Sequence, residues 1–371
     1  MVADVVSEPS LLSVLPEDLI TRFPSLEMSE ARRLLSIVHR TGSLPPHAPA
    51  GIRRDSFQRV RDAVPMHQLE RVTRRPSALD PFIKYGFRTL DGLLVETVRI
   101  PLEKPGRFVV CVSSQTGCAL GCAFCATARL GTGRNLAAWE IVDQVRQVRD
   151  DLATDGRVHG VVFQGMGEPL ANVSAVVQAI RVMTDPSLQA IDGRAITVSS
   201  AGLIKPLPVL LQALPRTRIG ISIGHADPIK RRALMPVEVA NPLHNVLAIV
   251  AQHAKTTRIA TMLSYTLLRE INDHESDADA FLALVDAYVQ QAGMAPRISL
   301  IAYNPIGPSD PFVPSEPEQA ERFRERLASH GIPVVRRYSG GADVGAACGQ
   351  LGLESVMDPT HVKSSEHEAS C

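Results

Sequence analysis

The chain has 371 residues, 45% of them hydrophobic, and 39 Lys and Arg balance 39 Asp and Glu. This length and composition exclude a disordered chain and allow one large domain with a small one beside it. Zero net charge argues against a large RNA footprint, because general nucleic-acid binders are usually basic. The N-terminal stretch has acids where a signal peptide is basic, and no segment reaches the ~18 apolar residues of a membrane span. We therefore expect a cytoplasmic protein without membrane contact.

Residues 1–80 show helical patterns and few strand signals, so we assign 1–85 to a small helical N-terminal domain. Within it, segment 29–42 has a Ser cap signal, apolar residues at helical spacing and a Gly stop, and 43–51 reads as a turn-rich linker. The stretch Arg32–Arg75 holds ten Arg against three acidic residues, an excess of seven positive charges. Two interpretations stay open for this stretch: a solvated helical surface, or a patch that faces RNA.

Residues 86–352 alternate short β-branched runs with amphipathic segments such as 136–152. This βα repetition predicts an α/β fold with a parallel sheet or barrel, whose functional residues lie at the C-terminal ends of the strands. The polar tail 353–371 is expected to be disordered, and its Cys371 to be a plain tail thiol. The strand candidates are 107–114, 160–165, 195–202, 218–224, 261–268, 297–305 and 332–339.

Three of the six cysteines, Cys118, Cys122 and Cys125, lie within eight residues of one another. In a long chain of this kind, such crowding favours metal binding or catalysis over a disulfide framework. A Cys-x3-Cys-x2-Cys loop after a strand suits three corners of a 4Fe-4S cluster, whose fourth iron stays open to another ligand. The alternatives are a zinc site with a distant fourth ligand and unconnected buried cysteines, although zinc sites more often show two separated Cys-x2-Cys pairs.

The cysteine motif, with Phe124 before its last cysteine, resembles the signature of the radical S-adenosylmethionine (SAM) superfamily. Six segments, taken together and in order, are similar to the RlmN/Cfr family, which methylates carbon atoms of adenosine in RNA. The resemblance implies an incomplete (β/α) barrel of the radical SAM type, a 4Fe-4S cluster on the three cysteines, and SAM bound at the open iron. The segments are 111–145, 165–173, 197–202, 233–237, 303–307 and 340–351.

The same resemblance implies a route through two further cysteines. One SAM methylates Cys348, and a second SAM yields an adenosyl radical that activates the S-methyl group for addition to the adenine ring. Cys111 then attacks the thioether sulfur, which releases the product and leaves a transient disulfide. Glu96, in VETVRIP, matches the residue that removes a proton from the adduct. From residue type alone, either cysteine could instead be a small buried residue, and Glu96 an exposed strand residue.

The resemblance also implies a set of SAM-binding residues. Glycines permit close approach of the backbone to the methionine moiety, a carboxylate accepts from its ammonium group, and small hydroxyls or an amide bond the ribose. The family has Ser-x-His-Ala where this chain has Gly224 followed by His225. A one-residue shift turns a strand side chain to the other face, so we do not expect His225 to bind the nucleotide. The implied residues are Gly167, Glu168, Ser199, Ser222, Gly224 and Asn304.

Three functions remain in competition at this point. The first is a radical SAM methyltransferase acting at C2 or C8 of adenosine in ribosomal or transfer RNA, with a flavodoxin or ferredoxin as electron donor. The second keeps the methyl-cysteine chemistry but acts on a small molecule or a peptide. The third is a non-catalytic iron–sulfur or zinc protein, which has no need for Cys111, Cys348 or Glu96. We expect the first.

Overall fold

One ten-stranded sheet runs through the part of the chain that the structure describes, with its strands in chain order. The computed structural model describes residues 10–307 and 310–352, so the predicted disorder of the tail and the state of Cys371 lie outside it. Strands β1 to β4 pair antiparallel, and β4 to β10 pair parallel. The strands are β1 (Glu70–Pro76), β2 (Ile83–Arg88), β3 (Leu94–Pro101), β4 (Arg107–Val112), β5 (Arg157–Phe163), β6 (Ile196–Ser200), β7 (Arg218–Ser222), β8 (Met262–Leu267), β9 (Arg297–Ala302) and β10 (Val334–Arg337).

Eleven α-helices accompany the sheet within the described residues, and at least one of them lies between each pair of consecutive parallel strands. This βα succession, together with a sheet whose two end strands do not pair in the described part of the chain, confirms the predicted open, incomplete barrel. The helices are α1 (Pro16–Arg22), α2 (Met28–Thr41), α3 (Arg54–Ala63), α4 (Ala126–Arg129), α5 (Ala138–Asp150), α6 (Val173–Thr184), α7 (Leu207–Ala213), α8 (Pro228–Leu234), α9 (Leu243–Thr257), α10 (Glu275–Ala292) and α11 (Pro317–Ala328).

The seven strands predicted from sequence are β4 to β10, and each is confirmed with ends that differ by a few residues. Residues 10–80 contain a single strand, β1, which the sequence analysis did not predict, and β2 begins just after it. The physical reason is that β1 is an edge strand with exposed or half-buried residues along its whole length. Such a strand lacks the apolar alternation that a one-sided strand carries.

Helix α2 ends as predicted, at Gly42, whose φ of 71° is the left-handed conformation that favours glycine. Its start differs from the predicted Ser cap. The backbone N–H of Glu27 donates to the Glu30 carboxylate at 2.9 Å, and the same carboxylate binds the Arg53 guanidinium at 2.6 Å. A capping box therefore fixes the first turn and ties α2 to the start of α3.

The N-terminal helices pack into the same hydrophobic core as α5 and α6. Polar contacts reinforce this packing: the Leu69 N–H donates to the Asp143 carboxylate at 2.8 Å, and Arg149 donates to the His39 carbonyl. The boundary at residue 85 stays a prediction. No helix in residues 10–307 and 310–352 is long and apolar enough to cross a membrane.

Most arginines of the basic stretch are already engaged within the fold. They bind backbone carbonyls, the Ser25 hydroxyl, or the carboxylates of Glu30 and Asp151. This supports the interpretation of a structural surface, and a contact of the stretch with RNA stays a prediction. The arginines concerned are Arg33, Arg53, Arg59, Arg61, Arg71 and Arg74.

Candidate active site

Two adjoining cavities lie at the C-terminal ends of the parallel strands, where the fold was expected to place its functional residues. The larger, which we call the main cavity, has a volume of about 150 Å³ and is lined by Cys118, Cys122, Cys125 and Glu168 among others. The smaller, the Cys111 cavity, has a volume of about 70 Å³. Cys125, Gln164, Gly165, Cys348 and Gly349 line both.

The loop that carries the three cysteines is held from several sides. The Cys118 N–H donates to the Gly131 carbonyl at 2.9 Å, and the Ala123 N–H to the Leu234 carbonyl at 2.9 Å. The position before Cys118 requires glycine, because a Cβ at Gly117 would lie 2.6 Å from the Gly131 carbonyl oxygen. These contacts direct all three cysteines into the main cavity, although no group of three or more His, Cys, Asp or Glu among residues 10–307 and 310–352 converges on a single metal ion.

Burial disfavours the thiolate form of Cys118 and Cys122 in this loop. It raises the pKa of Cys118 to about 11, with a smaller contribution from Cys125, and it raises the pKa of Cys122 as well. The Arg231 guanidinium acts in the opposite direction on Cys122 and is itself completely buried. A site of this kind favours thiolates only when a cationic metal group supplies the compensating charge. The iron of a cluster would do so.

Gly167 and Glu168 form one wall of the main cavity. Gly167 has a φ of 96°, and a Cβ there would lie 2.5 Å from the Cβ of Gln115, so the position requires glycine. The Glu168 carboxylate accepts from the backbone N–H groups of Leu170 and Ala201, both at 2.9 Å. Burial raises the pKa of Glu168, and these donors oppose the rise. The Glu168 carboxylate is thus a buried acceptor that can bind a cationic group of a ligand.

Two serine hydroxyls in the main cavity have no hydrogen-bond partner among residues 10–307 and 310–352. They belong to Ser199, at the end of β6, and to Ser264, on β8. Ser264 pairs in register with Ser222, which lines the same cavity, as does Gly224. Buried polar atoms are nearly always satisfied, so these orphaned hydroxyls point to a polar ligand.

Sequence reasoning missed Ser264 and, two residues on, Thr266, which also lines the main cavity. Both lie on β8, in a predicted strand whose C-terminal end was expected to face the site. Their spacing of two puts them on one face of that strand. Polar residues at alternating positions near the end of an otherwise apolar parallel strand were the available signal.

Cys348 lies on the loop after β10, between the two cavities. Its N–H donates to the Ser339 hydroxyl at 2.8 Å, and its carbonyl accepts from the Asn304 amide at 3.1 Å. Cys111, on β4, lines the Cys111 cavity with it. Burial and the nearby Cys348 raise the pKa of Cys111 to about 12, and Arg337 opposes this rise. The fold therefore brings together two thiols that are 237 positions apart.

Asn304 and Glu96 lie outside the lining of the main cavity. The Asn304 amide donates to Ser339 and Cys348, so it holds the Cys348 loop in the described structure. The Glu96 carboxylate lies 3.1 Å from Lys84 Nζ and accepts the Gly352 N–H at 2.7 Å. Glu96 is buried, so the alternative of an exposed strand residue is wrong.

His225 turns away from the main cavity, as the one-residue shift predicts. Its Nε2 lies 3.0 Å from Asp277 Oδ1 on α10, and its Nδ1 accepts the Asp227 N–H at 2.8 Å. Gly224 occupies the cavity wall in its place, with a φ of 68°. A Cβ at Gly224 would lie 2.6 Å from the sulfur of Met235, so a larger residue does not fit there.

Comparison with known proteins agrees with this geometry. Residues 112–282 match the model of the Radical SAM superfamily. A Sorangium cellulosum protein named "Probable RNA methyltransferase sce3898" is 51% identical over 92% of each chain. The Syntrophobacter fumaroxidans "Dual-specificity RNA methyltransferase RlmN" is 40% identical over 76% of this chain and 80% of its own.

Among solved structures, a radical SAM methyltransferase from Sphaerobacter thermophilus superposes with a TM-score of 0.81 at 30% identity. The match covers 93% of this chain and 99% of the other. The likeness thus extends through the N-terminal helices and the antiparallel strands as well as the barrel. The chain is a radical SAM methyltransferase and belongs to the RlmN/Cfr family.

Proposed function

We propose that this enzyme methylates C2 or C8 of an adenosine in ribosomal or transfer RNA, through a methyl group carried on Cys348. The observation that carries the proposal is the position of Cys348, which lines both the cavity of the three cysteines and the cavity of Cys111. The names of the relatives, RNA methyltransferase and dual-specificity RNA methyltransferase, support RNA as the substrate.

The residues of the main cavity fit a 4Fe-4S cluster and SAM. Cys118, Cys122 and Cys125 would hold three irons, and the orphaned hydroxyls of Ser199 and Ser264 would bond the ribose of SAM. Glu168 would accept from the ammonium group of SAM. When bound and reduced, the cluster and SAM supply a radical able to remove a hydrogen atom from a methyl group.

Each of the other cysteines has a defined part in this route. The Cys348 sulfur takes a methyl group from SAM and loses its proton, which leaves S-adenosylhomocysteine. After the carbon of that methyl group has joined the adenine ring, the Cys111 thiolate attacks the Cys348 sulfur. The carbon–sulfur bond breaks as a sulfur–sulfur bond forms, and the carbon keeps the bonding electron pair and takes up a proton to complete the methyl group. The unpaired electron left on the adduct passes to the electron-carrier protein, flavodoxin or ferredoxin. The product then leaves, and a reductant restores both thiols.

Glu96 is proposed to accept the proton that the ring carbon loses. Its carboxylate lies behind the Cys348 loop, with one oxygen on the Gly352 N–H and the other near Lys84. For this role the loop must open enough for the base to reach Glu96. The carboxylate therefore has two tasks, to hold the loop closed and to take a proton when the loop opens.

The test is an anaerobic assay on the reconstituted protein, with SAM, a flavodoxin or ferredoxin system as electron donor, and RNA that lacks the known carbon methylations. Digestion to nucleosides and mass spectrometry should show new 2-methyladenosine or 8-methyladenosine. The Cys348→Ala variant should bind the cluster and give no product. SAM cleavage and methylation of Cys348 without any change in the RNA would overturn the RNA substrate and direct the search to small molecules or peptides.

A further inference from the structure

A third cavity lies beside the Cys111 cavity and takes no part in the proposed chemistry. This side cavity has a volume of about 460 Å³ and is lined by Arg336, Tyr338 and Asn304, with an apolar floor that includes Leu300. Arg337, Tyr338 and Ser339 line both the side cavity and the Cys111 cavity. A ligand in the side cavity would therefore be the direct neighbour of a group that reacts at Cys348.

Tyr338 is a large aromatic residue held rigidly at the surface. Its side chain is 69% exposed, yet both ends of it are fixed. The hydroxyl donates to Asp80 Oδ2 at 2.9 Å, and the ring meets Phe82 edge-on with centroids 5.8 Å apart. Asp80 is itself tied to the Gly341 N–H at 2.9 Å. A preorganised exposed ring loses little rotamer entropy when it stacks on a ligand.

Two guanidinium groups, of Arg336 and Arg337, lie beside Tyr338, and the Glu321 carboxylate lies near the first. The Arg336 side chain is 57% exposed, and its guanidinium lies 3.7 Å from Glu321, a distance too long for a direct hydrogen bond. Arg337 donates to the neutral Gln164 amide oxygen at 2.5 Å. The side cavity thus combines a flat exposed ring with a guanidinium able to bind an anion.

A nucleotide has the matching pair of features, a flat base and an anionic phosphate. Proteins that recognise unpaired RNA stack its bases on aromatic side chains and contact its backbone with arginine. The enzyme must also take its target base out of any stack, and this removes a partner from the neighbouring base. A ring beside the reaction cavity replaces the lost partner.

We propose that the side cavity binds the nucleotide adjacent to the reacting adenosine, with its base stacked on Tyr338 and its phosphate at Arg336. This inference rests on the proposed function, since it assigns a binding subsite for the same RNA. It makes Tyr338 and Arg336 determinants of RNA affinity that touch no reacting atom.

The test measures the affinity of the reconstituted full-length protein for a fluorescein-labelled stem-loop RNA with adenosine in its unpaired loop, by anisotropy at several KCl concentrations. Tyr338→Ala should weaken binding by at least about fivefold, the lower end of what one base–aromatic stack is worth. Tyr338→Phe and Tyr338→Trp keep a ring and should bind more tightly than Tyr338→Ala, although both lose part of the affinity because they lack the hydroxyl that bonds Asp80. Cluster absorbance and SAM affinity report whether each variant has folded.

The contact between Arg336 and phosphate is tested by Arg336→Gln. The plot of log affinity against log salt has a negative slope, and this variant should reduce its magnitude by about 0.7, the value of one phosphate contact on single-stranded RNA. Arg322→Gln, at an exposed position on α11, is the matched control and should leave the slope unchanged. If the wild type methylates RNA and Tyr338→Ala binds it equally well, the subsite is wrong and the proposed function stands. If the wild type neither binds nor methylates RNA, both fail.

Discussion

Cys111 is the residue whose environment bears most directly on the proposed route. It is buried on β4, and its pKa of about 12 leaves it protonated at neutral pH, so its attack on Cys348 requires prior loss of a proton. In the proposed route its part comes last, after the methyl carbon has joined the base. Removing it should therefore stop the reaction after bond formation and before release.

We expect Cys111→Ala to become methylated on Cys348 and then to retain RNA covalently through that sulfur. A denaturing gel of the protein with labelled RNA should show the slow-migrating adduct, and nuclease digestion should remove it. The double variant Cys111→Ala/Cys348→Ala is the control and should form no adduct. Normal turnover of methylated RNA by Cys111→Ala would contradict the assignment of Cys111 as the resolving thiol.

Ser199 and Ser264 allow a second prediction at this scale, because their buried hydroxyls have no partner in the described structure. Without ligand, each hydroxyl costs stability, so Ser199→Ala and Ser264→Ala should leave the cluster-free protein as stable as the wild type or more so. Each variant should bind SAM about two- to tenfold more weakly than the wild type, because it lacks one neutral hydrogen bond to the ligand.

Calorimetric titration with SAM measures the change in affinity, and denaturant unfolding of the cluster-free protein measures the change in stability. The exposed Ser329→Ala is the matched control and should change neither. A variant that loses stability while SAM affinity is unchanged would mean that the hydroxyl has a structural partner and takes no part in binding the ligand.

At the scale of elements, the segment after β10 is held by contacts from widely separated parts of the chain. The Ala126 N–H donates to the Gly349 carbonyl at 2.8 Å, the Thr127 hydroxyl to the Leu351 carbonyl at 2.7 Å, and the Gly352 N–H to Glu96. The Cys348 loop is thereby anchored to the cysteine loop and to β3. The buried Lys84–Glu96 pair lies at the centre of this anchor.

Glu96→Gln should abolish product and also lower the free energy of unfolding by roughly 3 kcal/mol, since breaking a buried ion pair is costly. The second variant, Glu96→Gln/Lys84→Met, removes both charges and should recover most of that stability. Methylation measured in the double variant then separates the two tasks of Glu96. If product returns along with stability, Glu96 only positions the loop and is not the proton acceptor.

The whole molecule is coupled through a core that joins the N-terminal helices to the barrel helices. His39 of α2 lies inside this core, and neither of its ring nitrogens has a partner among the described residues. Burial, with the charges of Arg149 and Arg146, lowers its pKa from 6.5 to about 3. The folded state therefore holds His39 neutral, while the unfolded chain takes up a proton below pH 6.5.

The contribution of neutral His39 to folding stability is complete above the pKa of 6.5 in the unfolded chain and is lost as pH falls toward the pKa of about 3 in the folded protein. Between about pH 8 and pH 5 the wild type should lose about 2 kcal/mol that His39→Leu does not lose. Urea unfolding of both proteins at the two pH values measures the difference. Equal losses would mean that His39 is hydrated or charged in the folded state.

The sequence predicts the chemistry of this enzyme better than the surroundings of its site. The spacing of Cys118, Cys122 and Cys125 and the shift at Gly224 are local patterns, and all four residues line the main cavity. The neighbourhood of Glu96 was not predictable, because Lys84 and Gly352 reach it from another strand and from the far end of the barrel. Contacts of that kind depend on tertiary packing alone.

Cys348 lies on the wall shared by the main cavity and the Cys111 cavity, and this position sets an order of events in the proposed route. The Cys348 sulfur cannot contact the methyl group of SAM and the RNA base at the same moment. SAM and RNA therefore compete for access to this sulfur. RNA that binds before the Cys348 thiol is methylated blocks methyl transfer from SAM to that thiol and cannot itself be methylated. The proposed enzyme should therefore show inhibition by excess RNA when unmethylated, and none when it has been methylated in advance.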